Sequence, residues 1–395
     1  MNQKLSYTFK GMLLFLACLA TTGCSREEML TPETPADSRP KVELAFSASP
    51  DLTTRTTLPG PDNLQHVREV QLYIFNGTEN TAMCVASEVV DWTDIAAPDE
   101  GRPTASKKYP VQYKSFEADK PYTFLAIGLD DRSGDTYNLP KAVEVNTTTL
   151  ANAKAILATG KTRQDIAVSE LFGGSIVLTP DANNTVTGTI DLYRRVAGVM
   201  GWFKNIPQQV NGTDVASLRI ELYKAQNKSI WLSKPQTGED VIMDPIEETD
   251  DDNKILVQID LTEDDFQQDK VISKGSYVLP MIAPFASEEE MRNAGYDDAD
   301  IYVKDYTLRV VLADNAGNIL QAKRVKDKEA DADGDTSGGT GVIITGNAYR
   351  FPINANWFYP IGTKENPVEW PEEGDNNIVI TVNPNWEGVT ELPLE

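Results

Sequence analysis

The chain has 395 residues, with 60 Asp and Glu against 36 Lys and Arg, for a formal net charge of −24. A surface of that sign repels nucleic acid and anionic lipid head groups, so no nucleic-acid partner is expected. Its one histidine, His66, excludes zinc sites built on several histidines and argues against a Ser-His-Asp hydrolase.

In chain order, Lys4 and Lys10 precede a short apolar run, Met12 to Gly23, that ends in small residues. A basic start, a short apolar core and small residues form a secretory signal. Cys24 follows directly, which makes it a lipoprotein signal whose thiol is acylated. The run is shorter than the ~20 residues that span a bilayer. The expectation is therefore an exported protein tethered to outer-membrane lipid through Cys24, with residues 1–23 as signal peptide. Residues 24–41 are rich in Pro, Thr, Glu and Asp and read as a flexible spacer. Cys18 leaves with the signal and Cys24 carries lipid, so Cys84 stands alone and no internal disulfide is expected.

Beyond the spacer the dominant period is two, the signature of strands. Val42, Leu44, Phe46 and Ala48 alternate with polar or small residues. In Val67 to Phe75, Val70, Leu72 and Ile74 share one face, and Gln71, Tyr73 and Phe75 the other. Further strands are expected at 122–127, 174–178, 185–192, 196–203, 217–223, 255–261, 276–281, 306–312, 319–325, 349–354 and 377–382. Asp314 to Asn318 reads as a hairpin turn between two of them. Helices are expected only at 148–158, where a Thr precedes Leu150, Ala153, Ile156 and Leu157, and at 287–293. Many strands and few short helices predict an all-β protein of two β-sandwiches, 42–183 and 184–395, with a junction near 180–186.

Chemical motifs are scarce. Glu329 to Ser337 imitates the start of a calcium loop, but its twelfth position is Thr340 rather than the bidentate Glu, and it also reads as a solvated loop. No phosphate loop, nucleophile elbow or dinucleotide fingerprint is present, so neither enzyme activity nor a cofactor is predicted. Trp92, Trp202, Trp231, Trp357, Trp370 and Trp386 could stack on sugar rings or simply pack. Between the first two strands, Thr53-Thr54-Arg55-Thr56-Thr57 precedes Leu58-Pro-Gly-Pro. An exposed loop of this kind is where proteases cut, and an Arg-specific protease would cut between Arg55 and Thr56.

Taken together, these stretches resemble the Bacteroidetes fimbrillin superfamily of the FimA/FimB type. The resemblance lies in the lipoprotein Cys24 and its spacer, the loop with Arg55, Val67 to Gly77, Ile190 to Val199, Gly346 to Ile353 and Ile378 to Trp386. The acidic start after Cys24, Ser25-Arg26-Glu27-Glu28, resembles the export tag of surface-displayed lipoproteins. The resemblance implies two transthyretin-like β-sandwiches and assembly with other fimbrial subunits by β-strand addition. Mapped here, cleavage at Arg55 would release the first strand with Val42, Leu44 and Phe46. The donor would lie in the last residues, with Ile378, Ile380 and Val382, or Val389, Leu392 and Leu394, as plugs. The implied role is a shaft or tip pilin at the cell surface, serving adhesion, biofilm formation and contact with a host or bacterial receptor. Two alternatives stay open: an anchoring lipoprotein that is never cleaved, and a glycan-binding surface lipoprotein.

Overall fold

The computed structural model of the chain describes residues 41–48, 66–92, 105–181, 185–234, 240–247, 251–284, 288–297, 306–327, 349–370 and 377–380. The first half carries β1 (Lys41–Ala48), β2 (Glu69–Phe75), β3 (Cys84–Asp91), β4 (Ala105–Pro110), β5 (Tyr122–Leu129), β6 (Lys154–Ile156), β7 (Leu171–Leu178) and β8 (Thr185–Arg194). The second half carries β9 (Ala197–Lys204), β10 (Gln209–Val210), β11 (Thr213–Asp214), β12 (Ser217–Leu222), β13 (Ser229–Trp231), β14 (Ile255–Asp260) and β15 (Ile272–Val278). It continues with β16 (Leu308–Ala313), β17 (Ile319–Asp327), β18 (Phe358–Ile361), β19 (Val368–Glu369) and β20 (Asn377–Ile380). The α-helices are α1 (Ser133–Thr136), α2 (Arg163–Ile166) and α3 (Glu288–Asn293), each under two turns.

Among the described residues these strands form four layers around three cores. The outermost layer is β4-β1-β8, and the next is β3-β2-β5-β7. Between them lie Leu44, Phe46, Val70, Leu72, Ile74, Phe124 and Ile190. The third layer is β15-β9-β18 and the fourth is β14-β12-β16-β17-β20. Val199, Phe203, Leu218, Ile220, Val310 and Tyr359 fill the space between those two. A middle core joins the halves: Tyr73, Phe75, Leu125 and Ile127 from the first half share one cluster with Met200, Trp202, Tyr277 and Phe358 from the second.

That stacking explains the sequence of the central strands. All eight residues of β5 are buried, because Phe124 and Ala126 enter the outer core while Leu125 and Ile127 enter the middle one. A strand covered on both faces needs a continuous apolar run rather than clean alternation. The same logic makes β9 apolar up to its final Lys204, with Val199 and Phe203 on one side and Met200 and Trp202 on the other.

The junction expected near 180–186 lies between β7 and β8, and both strands belong to the first half's sheets. β8 is the corner strand: Thr185 to Leu192 run parallel to β1, while Tyr193 and Arg194 pair with Gly173 and Phe172 of β7. The crossing is tight. A methyl group on Gly174 would run into the backbone carbonyl of Asp191, so only glycine lets the two backbones approach.

Two expected elements take another form. Residues 148–158 do not make a helix. A single 3-10 turn at Leu150–Asn152 gives way to β6, which pairs antiparallel with β13. The period that wins is two: Ala153 and Ala155 both turn into the middle core. Among the described residues, 349–354 form no strand ladder. Thr307 replaces the ladder, its Oγ1 accepting from the Phe351 amide at 2.9 Å and donating to the Phe351 carbonyl at 2.7 Å. The Tyr349 carbonyl accepts from the Thr307 amide at 2.8 Å, and Ile353 forms an isolated bridge with Met281. The expected strand at 276–281 begins earlier and ends at Val278, two residues before Pro280, which has no amide to donate. The helix near 287–293 and the hairpin turn are present, the turn closed by the Asp314 amide donating to the Asn318 carbonyl at 3.0 Å. The edge strands β3 and β4 were not expected.

Gly174→Ala should lower stability by about 1–3 kcal/mol through overpacking, measured by urea unfolding. A change below a few tenths would mean that β7 and β8 can separate freely.

Candidate functional site: the first strand and the joint between the halves

β1 begins as an alternating segment with Leu44 and Phe46 on one face and Glu43 on the other. In the fold it is an interior strand. One edge runs parallel to β8, from Lys41 opposite Thr185 to Ala48 opposite Leu192. The other edge runs antiparallel to β4, from Glu43 opposite Pro110 to Ala48 opposite Ala105. Leu44 and Phe46 have no exposed surface, and Phe46 meets Trp92 edge-on with ring centroids 6.5 Å apart. Edge-on aromatic contacts of this kind add to simple burial. Two sequence-predicted members of the releasable strand are thus brought together in one core. Val42 lies on the same strand, though its side chain is outside the described residues.

The candidate donor is also partly in view. Ile378 and Ile380 lie in β20, which runs parallel to β17 with Ile378 opposite Val325 and Ile380 opposite Asp327. Val382, Val389, Leu392 and Leu394 lie outside the described residues, as do Cys24, Arg55, Thr56 and the acidic loop 329–337. Among the described residues no group of three or more His, Cys, Asp or Glu could hold a metal ion, and no helix is long and apolar enough to cross a membrane. Trp92, Trp202 and Trp370 are buried, Trp231 is half-buried with Lys234 over its ring, and Trp357 is half-buried.

A polar cluster that the sequence reading did not anticipate sits where β8 passes into β9. Glu170, just before β7, is 2% exposed, and Arg194, the last residue of β8, 5%. Glu170 Oε1 accepts from Arg194 Nε at 3.0 Å and from the Tyr277 hydroxyl at 2.7 Å. Its Oε2 accepts from the His66 amide at 3.2 Å and lies 3.0 Å from His66 Nδ1. Its own amide donates to Asp130 at 2.7 Å. The cluster therefore draws the starts of β2 and β7 and the ends of β5 and β8 onto β15 of the second half. Burial pushes the Glu170 carboxyl up, but the Arg194 charge, His66 and Tyr277 together outweigh it and hold it at about 2. Burial and the Glu170 charge push the Tyr277 phenol well up, so it stays protonated and donates. The one signal in the sequence was the pair Arg194-Arg195 directly before the apolar run from Val196 to Phe203, since a charge drawn into such surroundings needs a partner.

The family model for "Fimbrillin-A associated anchor proteins Mfa1 and Mfa2" matches residues 35–391. The chain belongs to this family. As a member it is a fimbria-associated protein, which places it with fimbriae at the cell surface. Solved structures similar to it include the fimbrial anchor protein Mfa2 from Porphyromonas gingivalis, at 11% identity over 82% of this chain and 90% of that one, TM-score 0.41. A fimbrial assembly protein from Parabacteroides distasonis shows 10% identity over 81% and 90%, TM-score 0.37. A candidate adhesin from Bacteroides thetaiotaomicron shows 12% identity over 88% and 97%, TM-score 0.45. No curated protein matches the chain in sequence.

Two outcomes follow from the cluster. Glu170 titrates lower when folded than when unfolded, so its stabilisation is complete above about pH 4.5 and is lost as pH falls towards 2, a decline on the order of 3 kcal/mol. Glu170→Gln should remove that part of the acid dependence and cost about 3–5 kcal/mol at pH 7, because Arg194 is left buried without its countercharge. Denaturant unfolding across pH reads both. An unchanged pH profile in the variant would show that Glu170 is not the group responsible. Separately, Phe46→Ala should cost about 3–5 kcal/mol if β1 stays seated in its core.

Proposed function

We propose that this family member is an anchoring subunit of a fimbrium, one that keeps its first strand and remains tethered through acylated Cys24. The carrying observation is the place of β1. It is laddered on both edges, with Leu44 and Phe46 fully buried, so the protein's own first strand completes its outer sheet. The candidate donor supports the same reading, because Ile378 and Ile380 already pair within their own sheet as its edge strand. The remaining tail carries Pro393 and the acids Glu387, Glu391 and Glu395, which suit strand insertion poorly. Membership of the family of fimbrillin-associated anchor proteins supports the same reading. In this role the chain holds other fimbrial subunits at the outer membrane and contributes to adhesion and biofilm formation through the filament it retains.

One observation favours a second reading, the processed shaft or tip pilin. Removal of β1 would leave a single slot between the edges of β4 and β8, floored by Trp92 and the rest of the outer core. A slot with two free strand edges is the geometry that accepts a strand from a neighbour.

The mature N-terminus separates the two. Mass spectrometry of protein from outer membranes and from sheared filaments should find acylated Cys24, and Arg55→Ala should leave surface fimbriae in place. A mature chain beginning at Thr56, with fimbriae lost in Arg55→Ala, would replace the anchor with the pilin.

A further inference from the structure

We infer that the β1–β8 pair is a mechanical clamp, through which tension between the tether and the filament is carried in shear. The inference rests on the anchor reading for its load, and on the strand directions for its strength. The tether enters β1 at Lys41. Load applied to the second half reaches the first along the chain through β8, whose last residue Arg194 is separated from β9 only by Arg195 and Val196. Because β1 and β8 are parallel, Lys41 lies beside Thr185 and Ala48 beside Leu192. The two pulls therefore act at opposite ends of the paired strands, at the start of β1 and at the end of β8. To part, the strands must slide along a ladder of about 26 Å, with all its hydrogen bonds strained together. Two strands pulled from the same end would open one bond at a time.

The surroundings reinforce the pair. β4 grips the other edge of β1 over six registered residues, so sliding must break that ladder as well. Leu44 and Phe46 would have to leave a core in which they have no exposed surface. At the far end, the load leaving β8 is shared. Arg194 is tied to Glu170, and Glu170 to Tyr277 on β15, which itself pairs with β9 along its whole length. The charge cluster thus braces the exit point of the clamp, and a backbone link of two residues does not carry the tension alone.

The direction of pulling tests this on the full mature chain without lipid. In one variant, Gln208→Cys, optical tweezers pull between Cys24 and position 208, an exposed site just beyond β9. In the other, Cys24→Ser with Ser49→Cys and Gln208→Cys, the first handle sits one residue past the end of β1. Cys84 is fully buried and does not compete for the handles. The added cysteines lie outside the β1 ladders, so both variants keep the same fold, which equal urea midpoints would verify. Forced rupture is governed by the unfolding rate along the direction pulled, so the first geometry should need about twice the force of the second. Equal forces, or a lower force from Cys24, overturn the clamp and leave the anchor reading untouched. A native N-terminus at Thr56 removes β1 from the working protein and overturns both.

Discussion

The structure of the first half depends on one strand, β8, serving two sheets. Its first eight residues run beside β1, its last two cross to β7, and its end is fixed by the Arg194–Glu170 ion pair. Among the described residues, that corner is the strand ladder that joins the outer sheet β4-β1-β8 to the layer beneath it. Gly174 permits the crossing and Glu170 locks it. The buried pair is costly to desolvate, and with Tyr277 it fixes the end of the strand against β15. Tyr277 and His66 fill out the hydrogen bonds that a carboxylate in such a place requires.

The second constraint is the middle core. Sheets that face water on one side can be patterned by alternation, but β2, β5 and β9 each separate two cores and cannot. Their apolar content is set by position in the stack, and so is their tolerance of change. A substitution on β5 at Phe124 disturbs the outer core, whereas the next residue, Leu125, disturbs the joint between the halves.

Much of the fold was legible from the sequence, because period-two runs of Val, Ile, Tyr and Leu mark strands whatever their partners. Leu44 and Phe46 announced themselves in this way. The segment at 148–158 did not, because its alanines fit a helical face as well as a strand; only the partner β13, seventy-odd residues later, decides between them. The edge strands β3 and β4 escaped notice because Glu, Ser and Lys interrupt them, as suits edges that must not recruit other chains. The polar cluster escaped for another reason. Its members, His66, Asp130, Glu170, Arg194 and Tyr277, are scattered along the chain, and nothing local marks Glu170 as different from the many other acids of an acidic protein.

The shared middle core also bears on how such proteins can change over evolutionary time. Tyr73 and Leu125 on one side, and Met200 and Trp202 on the other, are finished surfaces only in each other's company. Neither sandwich is therefore a free-standing module. Exchange of one half between relatives would succeed only where the facing layer changed with it, which ties the two halves together as a single inherited unit.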